Sequence, residues 1–207
     1  MQPVRYLALG DSYTIGTGLE DESANFPSLL ARRLTEEIGV LVEVRNLGVN
    51  GYTTADLIRE ELPVARTARP ELVTVLIGAN DVVQGVSEAT YRDRLVQIYE
   101  AIRQLGLPSS RVVAVSIPDF SALAGAGSFG TPERLHGRIS AFNQLARSEA
   151  EGRGFGFVDI TAVSTATAGP PDWFAADDLH PGPAQHRAFA EKIWETARAR
   201  WISIRAE

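Results

Sequence analysis

The chain has 207 residues, 44% of them hydrophobic and 22% charged, a length and composition that support one domain spanning 1–207 with a sizeable core. It contains no cysteine, which excludes disulfides, thiolate metal ligands and a cysteine nucleophile. A formal net charge of -6, with no long run of Lys and Arg to offset it locally, repels a phosphate backbone and speaks against nucleic acid as a partner.

The amino terminus, Met1-Gln2-Pro3-Val4-Arg5, runs straight into a strand-like segment. With no basic region, signal-length apolar run and cleavage site ahead of it, the expected location is cytoplasmic, or secreted if a signal peptide has been removed. No apolar stretch approaches the length that crosses a bilayer, so any membrane contact is expected to be peripheral. Short apolar runs predict strands at 6–9, 41–46, 72–77, 111–117 and 156–159, most of them continuous in Val, Leu and Ile as strands buried on both faces are. Helical periodicity predicts helices over 28–37, 54–65, 87–105, 132–151 and 183–200, the last opening on Pro183, whose missing N–H costs nothing in a first turn. Strands alternating with helices predict an α/β sandwich around a five-stranded parallel sheet, and right-handed crossovers put the site at the carboxyl ends of the strands. The Gly/Ser/Ala/Pro-rich stretches 119–131 and 164–176 follow the fourth and fifth strands and read as loops bordering that site. There is no internal repeat or interdomain linker.

The first strand ends in Gly10-Asp11-Ser12-Tyr13, where a serine at a strand-to-helix turn can present its hydroxyl at the sheet edge; the plainer alternative is that Ser12 caps the following helix. A Gly two residues after the serine is missing, which disfavours the G-x-S-x-G elbow of ordinary α/β-hydrolases. After the second strand, Asn50-Gly51 can expose an unobstructed backbone N–H. After the third, Gly78-Ala79-Asn80-Asp81 reads either as a turn or as an amide donor aimed into the same mouth as Ser12. Asp177-Asp178-Leu179-His180-Pro181 sets acidic groups just before a histidine and the last helix; a carboxylate on one imidazole nitrogen fixes the tautomer and frees the other to take a proton from a serine. The rival use of Asp177, Asp178 and His180 is metal ligation, for which no HExxH or other dense ligand pattern is present. His186 reads as a helix-surface residue and His136 as an ordinary residue near a helix start.

Taken in order, these four blocks resemble the GDSL/SGNH hydrolase family over nearly the whole chain, with Tyr13 where the family name has leucine. The resemblance implies a flavodoxin-like three-layer α/β/α sandwich and a serine esterase without metal or organic cofactor, acting on a small-molecule ester. It implies Ser12 as nucleophile, His180 as general base and Asp177 as its orienting acid, with the backbone N–H groups of Ser12 and Gly51 and the Asn80 amide as oxyanion hole. Asp178 is then expected to face solvent or cap the last helix. The Trp173-Phe174 pair and the stretch 120–129 read either as acyl-pocket lining or as loop anchors packed on the core. Two other classes remain open on the sequence: a flavodoxin-like module cradling a phosphate or flavin at 12–18, and a catalytically idle relative serving as an interaction domain.

Overall fold

In the computed structural model, which describes residues 2–166 and 169–205, five parallel strands form one sheet in the order β2-β1-β3-β4-β5. They are β1 (Val4–Gly10), β2 (Val42–Asn46), β3 (Leu72–Leu76), β4 (Val112–Val115) and β5 (Gly156–Val158). The central strands are buried along nearly their whole length, as their unbroken apolar runs require. The edge strand β2 departs from that expectation: Glu43 and Arg45 face solvent in alternation with Val42 and Val44, and Leu41, expected inside the strand, precedes it and is 55% exposed.

The helices are α1 (Ser12–Ile15), α2 (Phe26–Ile38), α3 (Thr54–Asp56), α4 (Leu62–Ala68), α5 (Ala79–Val83), α6 (Glu88–Arg103), α7 (Pro132–Glu151), α8 (Thr161–Ser164) and α9 (Pro183–Trp201). They cover both sides of the sheet, α2 packing with α9 on one and α6 packing with α4 and α7 on the other. Local chemistry fixes their ends. Asn25 caps α2 by accepting the Ser28 N–H at 2.9 Å, and Thr131 and Gly182 each precede a proline in a first helical turn. That Asn25 cap is why α2 begins ahead of the Ser28 start read from periodicity. A π turn, Leu57–Glu61, joins α3 to α4. Its extra residue rotates the following helix by about 100° relative to a straight α-helix.

The core is aromatic at its thickest points: Tyr91 stacks on Phe142 at 4.0 Å between α6 and α7, and Tyr6 of β1 meets Trp201 of α9 at 5.4 Å. No described helix is long and apolar enough to cross a membrane. In the 164–176 stretch, residues 167 and 168 lie outside the described residues. The strand order reverses between β1 and β3, and in such sheets the crevice outside the carboxyl ends at that point is where ligands bind.

Candidate active site

Ser12 leaves β1 at that crevice as the first residue of α1. The helix cap is Asp11, not Ser12: the Asp11 side chain accepts the Tyr13 N–H at 3.1 Å, so the serine hydroxyl is not spent on capping. Gly10 permits the tight exit, because a Cβ there would lie 2.1 Å from the Leu76 carbonyl oxygen. Ser12 is 4% exposed and lines a cavity of about 140 Å³ together with Asn80 and His180.

Asn80 lies in the first turns of α5, and its Nδ2 donates to the Tyr52 carbonyl at 2.9 Å. One of its two amide hydrogens is used there, leaving the second. Gly51 adopts φ +85° in the preceding turn, but the residue of that turn that lines the cavity is Asn50. The loop before α9 supplies the histidine: His180 Nδ1 is 2.5 Å from Asp177 Oδ2, while Asp177 Oδ1 accepts the N–H groups of His180 at 2.9 Å and Leu179 at 3.1 Å. Burial pushes the Asp177 carboxyl up, but these hydrogen bonds, the His180 ring first among them, outweigh it and hold it below the ordinary value. With Nδ1 so engaged, Nε2 is the ring nitrogen left for other chemistry. Among the described residues no hydrogen bond joins the Ser12 hydroxyl to the His180 ring.

Asp178 adopts φ +54° and is exposed to solvent; the N-cap of α9 is Gly182, so Asp178 does not cap the last helix. Its carbonyl instead accepts the Gly125 N–H at 3.2 Å. A Cβ on Gly125 would lie 2.7 Å from the Asp177 carbonyl oxygen, so this contact between the 119–131 segment and the histidine loop needs glycine.

Behind Ser12 lie three buried carboxyls. Glu61, at the end of the π turn, accepts the Gly10 N–H at 2.9 Å, and burial with a smaller contribution from Asp11 pushes it up to about 9. Asp11 is raised to about 7, chiefly by burial and then by Asp81. Burial raises Asp81 as well, against the hydrogen bonds from the Thr54 N–H and hydroxyl and the guanidinium of Arg94. Asp11 Oδ2 and Glu61 Oε1 have no hydrogen-bond partner among the described residues. Among those residues, no group of three or more His, Asp or Glu side chains is placed to hold a metal ion.

One histidine departs from the sequence reading. His186 is fully buried rather than on the helix surface, packed against Phe26 and Phe189 at centroid distances of 6.5 and 6.1 Å, because that face of α9 turns inward onto α2. Burial, with a small push from His180, depresses it to about 3, so it is neutral. His136 pairs with Asp119 across 2.6 Å beside a second cavity of about 220 Å³, a pairing the sequence did not announce although Asp119 follows β4 as the other site residues follow their strands. Of the two aromatic stretches, Phe120 and Phe129 line the cavity at Ser12; Trp173 and Phe174 do not, and Phe174 pairs with Pro181 through an antiparallel bridge.

A model of the GDSL-like Lipase/Acylhydrolase family matches residues 8–188, a span that takes in Ser12, Asn80 and His180. The chain is 27% identical over 197 residues to a lipase of Streptomyces rimosus, covering 79% of this chain and 72% of that protein. It is 25% identical over 195 residues to the esterase TesA of Pseudomonas aeruginosa, covering 93% of this chain and 87% of that protein. A crystal structure of TesA matches with a TM-score of 0.73 at 25% identity, covering 95% of this chain and 99% of that one. The chain belongs to the GDSL-like lipase/acylhydrolase family and is an esterase/lipase-type hydrolase acting on ester bonds.

Proposed function

We propose that residues 1–207 form one hydrolase domain in which Ser12, His180 and Asp177 act as nucleophile, general base and orienting acid on carboxylic esters. The observation that carries this reading is the Asp177–His180 contact of 2.5 Å, made by a histidine that lines the same cavity as Ser12. Ser12 Oγ attacks the ester carbonyl as His180 Nε2 takes its proton; the alcohol leaves with that proton, and water then hydrolyses the acyl-serine by the same route in reverse. A hydroxyl–imidazole contact that tightens only when substrate is bound is ordinary for such sites. The oxyanion meets the N–H groups of Ser12 and Gly51 and the second amide hydrogen of Asn80. Ser12 heads α1, so its N–H has no acceptor within the helix. The phosphate-cradling alternative at 12–18 finds no cation there, since residues 10–20 contain neither Lys nor Arg. The test is an organophosphonate and mass spectrometry of the labelled peptide, with turnover of a short aryl ester. Labelling of Ser12, and turnover abolished in a folded Ser12→Ala variant, is the expected result; labelling of another serine, or undiminished turnover, removes Ser12 from the mechanism.

A further inference from the structure

The cavity at Ser12 differs in character from the other hollows of the molecule. A larger one, about 400 Å³, opens among Arg5, Glu43 and Arg45 at the far side of the β1–β2 pair, and the one beside His136 and Asp119 carries Arg147 and Asp159 in its wall. At Ser12 the wall is Tyr13, Ala79, Val83, Phe120, Phe129 and Leu179, and its polar side chains are Ser12, Asn50, Asn80, His180 and the Tyr13 hydroxyl. Among the described residues no carboxylate, Lys or Arg lines it. Tyr13 is itself buried, and that burial raises its hydroxyl far above the neutral range, so it adds no charge.

Resting on the serine-esterase reading, we propose that this cavity is the acyl pocket and that it selects esters of short, uncharged, apolar carboxylic acids, of about butyryl to benzoyl size. Size sets the upper limit: a cavity of about 140 Å³ compares with the roughly 150 Å³ that accommodates one benzene ring, and falls below the ~300–1,000 Å³ of pockets that enclose drug-sized ligands. A long acyl chain leaves most of its length outside. Charge sets the second limit, since a carboxylate on the acyl tail would lose its hydration with nothing to pair it. Two aromatic residues define the wall's behaviour. Phe120 is buried and stacked on Tyr13 at 6.5 Å, which fixes it, whereas Phe129 is 37% exposed and forms the outer wall. Each methylene that enters raises kcat/KM by about fourfold, and each that stays in water adds nothing.

The experiment is a series of p-nitrophenyl esters of one leaving group, acetyl, butyryl, benzoyl, octanoyl and decanoyl, with the monomethyl-succinyl and free succinyl esters as a charge pair, all below their micellar concentrations. The butyryl ester, two methylenes longer, is expected to exceed the acetyl by roughly fifteenfold in kcat/KM. Octanoyl and decanoyl esters are expected to gain nothing further, and the free succinyl ester to fall at least tenfold below its methyl ester. Phe129→Ala is expected to raise the octanoyl-to-butyryl ratio at least fivefold. Should kcat/KM keep climbing with chain length so that decanoyl exceeds butyryl by about tenfold or more, or the charged ester match its neutral partner, while the phosphonate still labels Ser12, the pocket assignment falls and the esterase reading stands. If nothing is hydrolysed and nothing is labelled, the esterase reading falls and takes the pocket with it.

Discussion

Replacing Glu61 by glutamine removes a buried ionisable group while keeping an oxygen for the Gly10 N–H. Glu61 is 3% exposed, and its pKa stands at about 9 against an ordinary 4.5, so the folded protein retains a proton that the unfolded chain releases in mild acid. A carboxyl raised in the folded state makes stability highest below the unfolded value and drains it as pH rises toward the folded one. One pKa unit corresponds to about 1.4 kcal/mol, so this group alone tilts the stability curve downward by at most about 1.4 kcal/mol per pH unit between 4.5 and about 9. Asp11, raised from 3.8 to about 7, adds its own slope in the lower part of that window, which leaves pH 7 to 9 as the range that isolates Glu61. Urea unfolding followed by circular dichroism at pH 7, 8 and 9 measures the effect. The advantage of Glu61→Gln over the wild type should grow by about 2 kcal/mol across that range. Parallel curves for the two proteins would refute the idea that Glu61 folds with its proton.

Asp177→Asn should lower kcat by roughly 10³–10⁴ through loss of tautomer control, while Asp178→Asn, at an exposed αL position that asparagine tolerates, should change stability by less than about 0.5 kcal/mol and leave most of the activity. Inactivity of the Asp178 variant instead would move the orienting acid by one residue. Asn80→Ala should reduce kcat by about 10²–10³ with a smaller change in KM, with thermal melting as the control for folding; an unchanged kcat returns Asn80 to the role of a turn former that only holds the Tyr52 carbonyl.

The candidate site residues were legible where chemistry and punctuation coincide. Ser12, Asn80 and the Asp177–His180 loop each stand beside a glycine, a turn residue or a proline, where an apolar run stops. The central strands β1, β3 and β4 were legible because they carry apolar runs of Val, Leu and Ile with little to alternate. The carboxyls behind Ser12 were hidden. Glu61 sits in Arg59-Glu60-Glu61, which reads as a solvated helix face, and only the π turn, invisible to a period of 3.6, rotates it against Gly10. His186 was misread because α9 buries an unusually broad face, so polar spelling did not mark the outside. The short helices α1, α5 and α8 span four or five residues, too few for any periodicity to register. The partition of aromatics, Phe120 and Phe129 at the cavity and Trp173 and Phe174 away from it, depends on how two loops fold back, which no local pattern encodes.

The Gly125–Asp178 hydrogen bond ties the segment bearing Phe120 and Phe129 to the few residues that aim His180. With His180 as the proposed base and Phe129 in the proposed acyl pocket, substrate scope and turnover are not independent traits in this scaffold. An insertion or deletion that remodels the 119–131 loop to admit bulkier acids pulls on the backbone that orients the imidazole, so broadened preference arrives with slower chemistry. Trimming a single side chain on that loop leaves the tie in place, which makes position 129 the route by which a descendant of this enzyme changes diet without first losing speed.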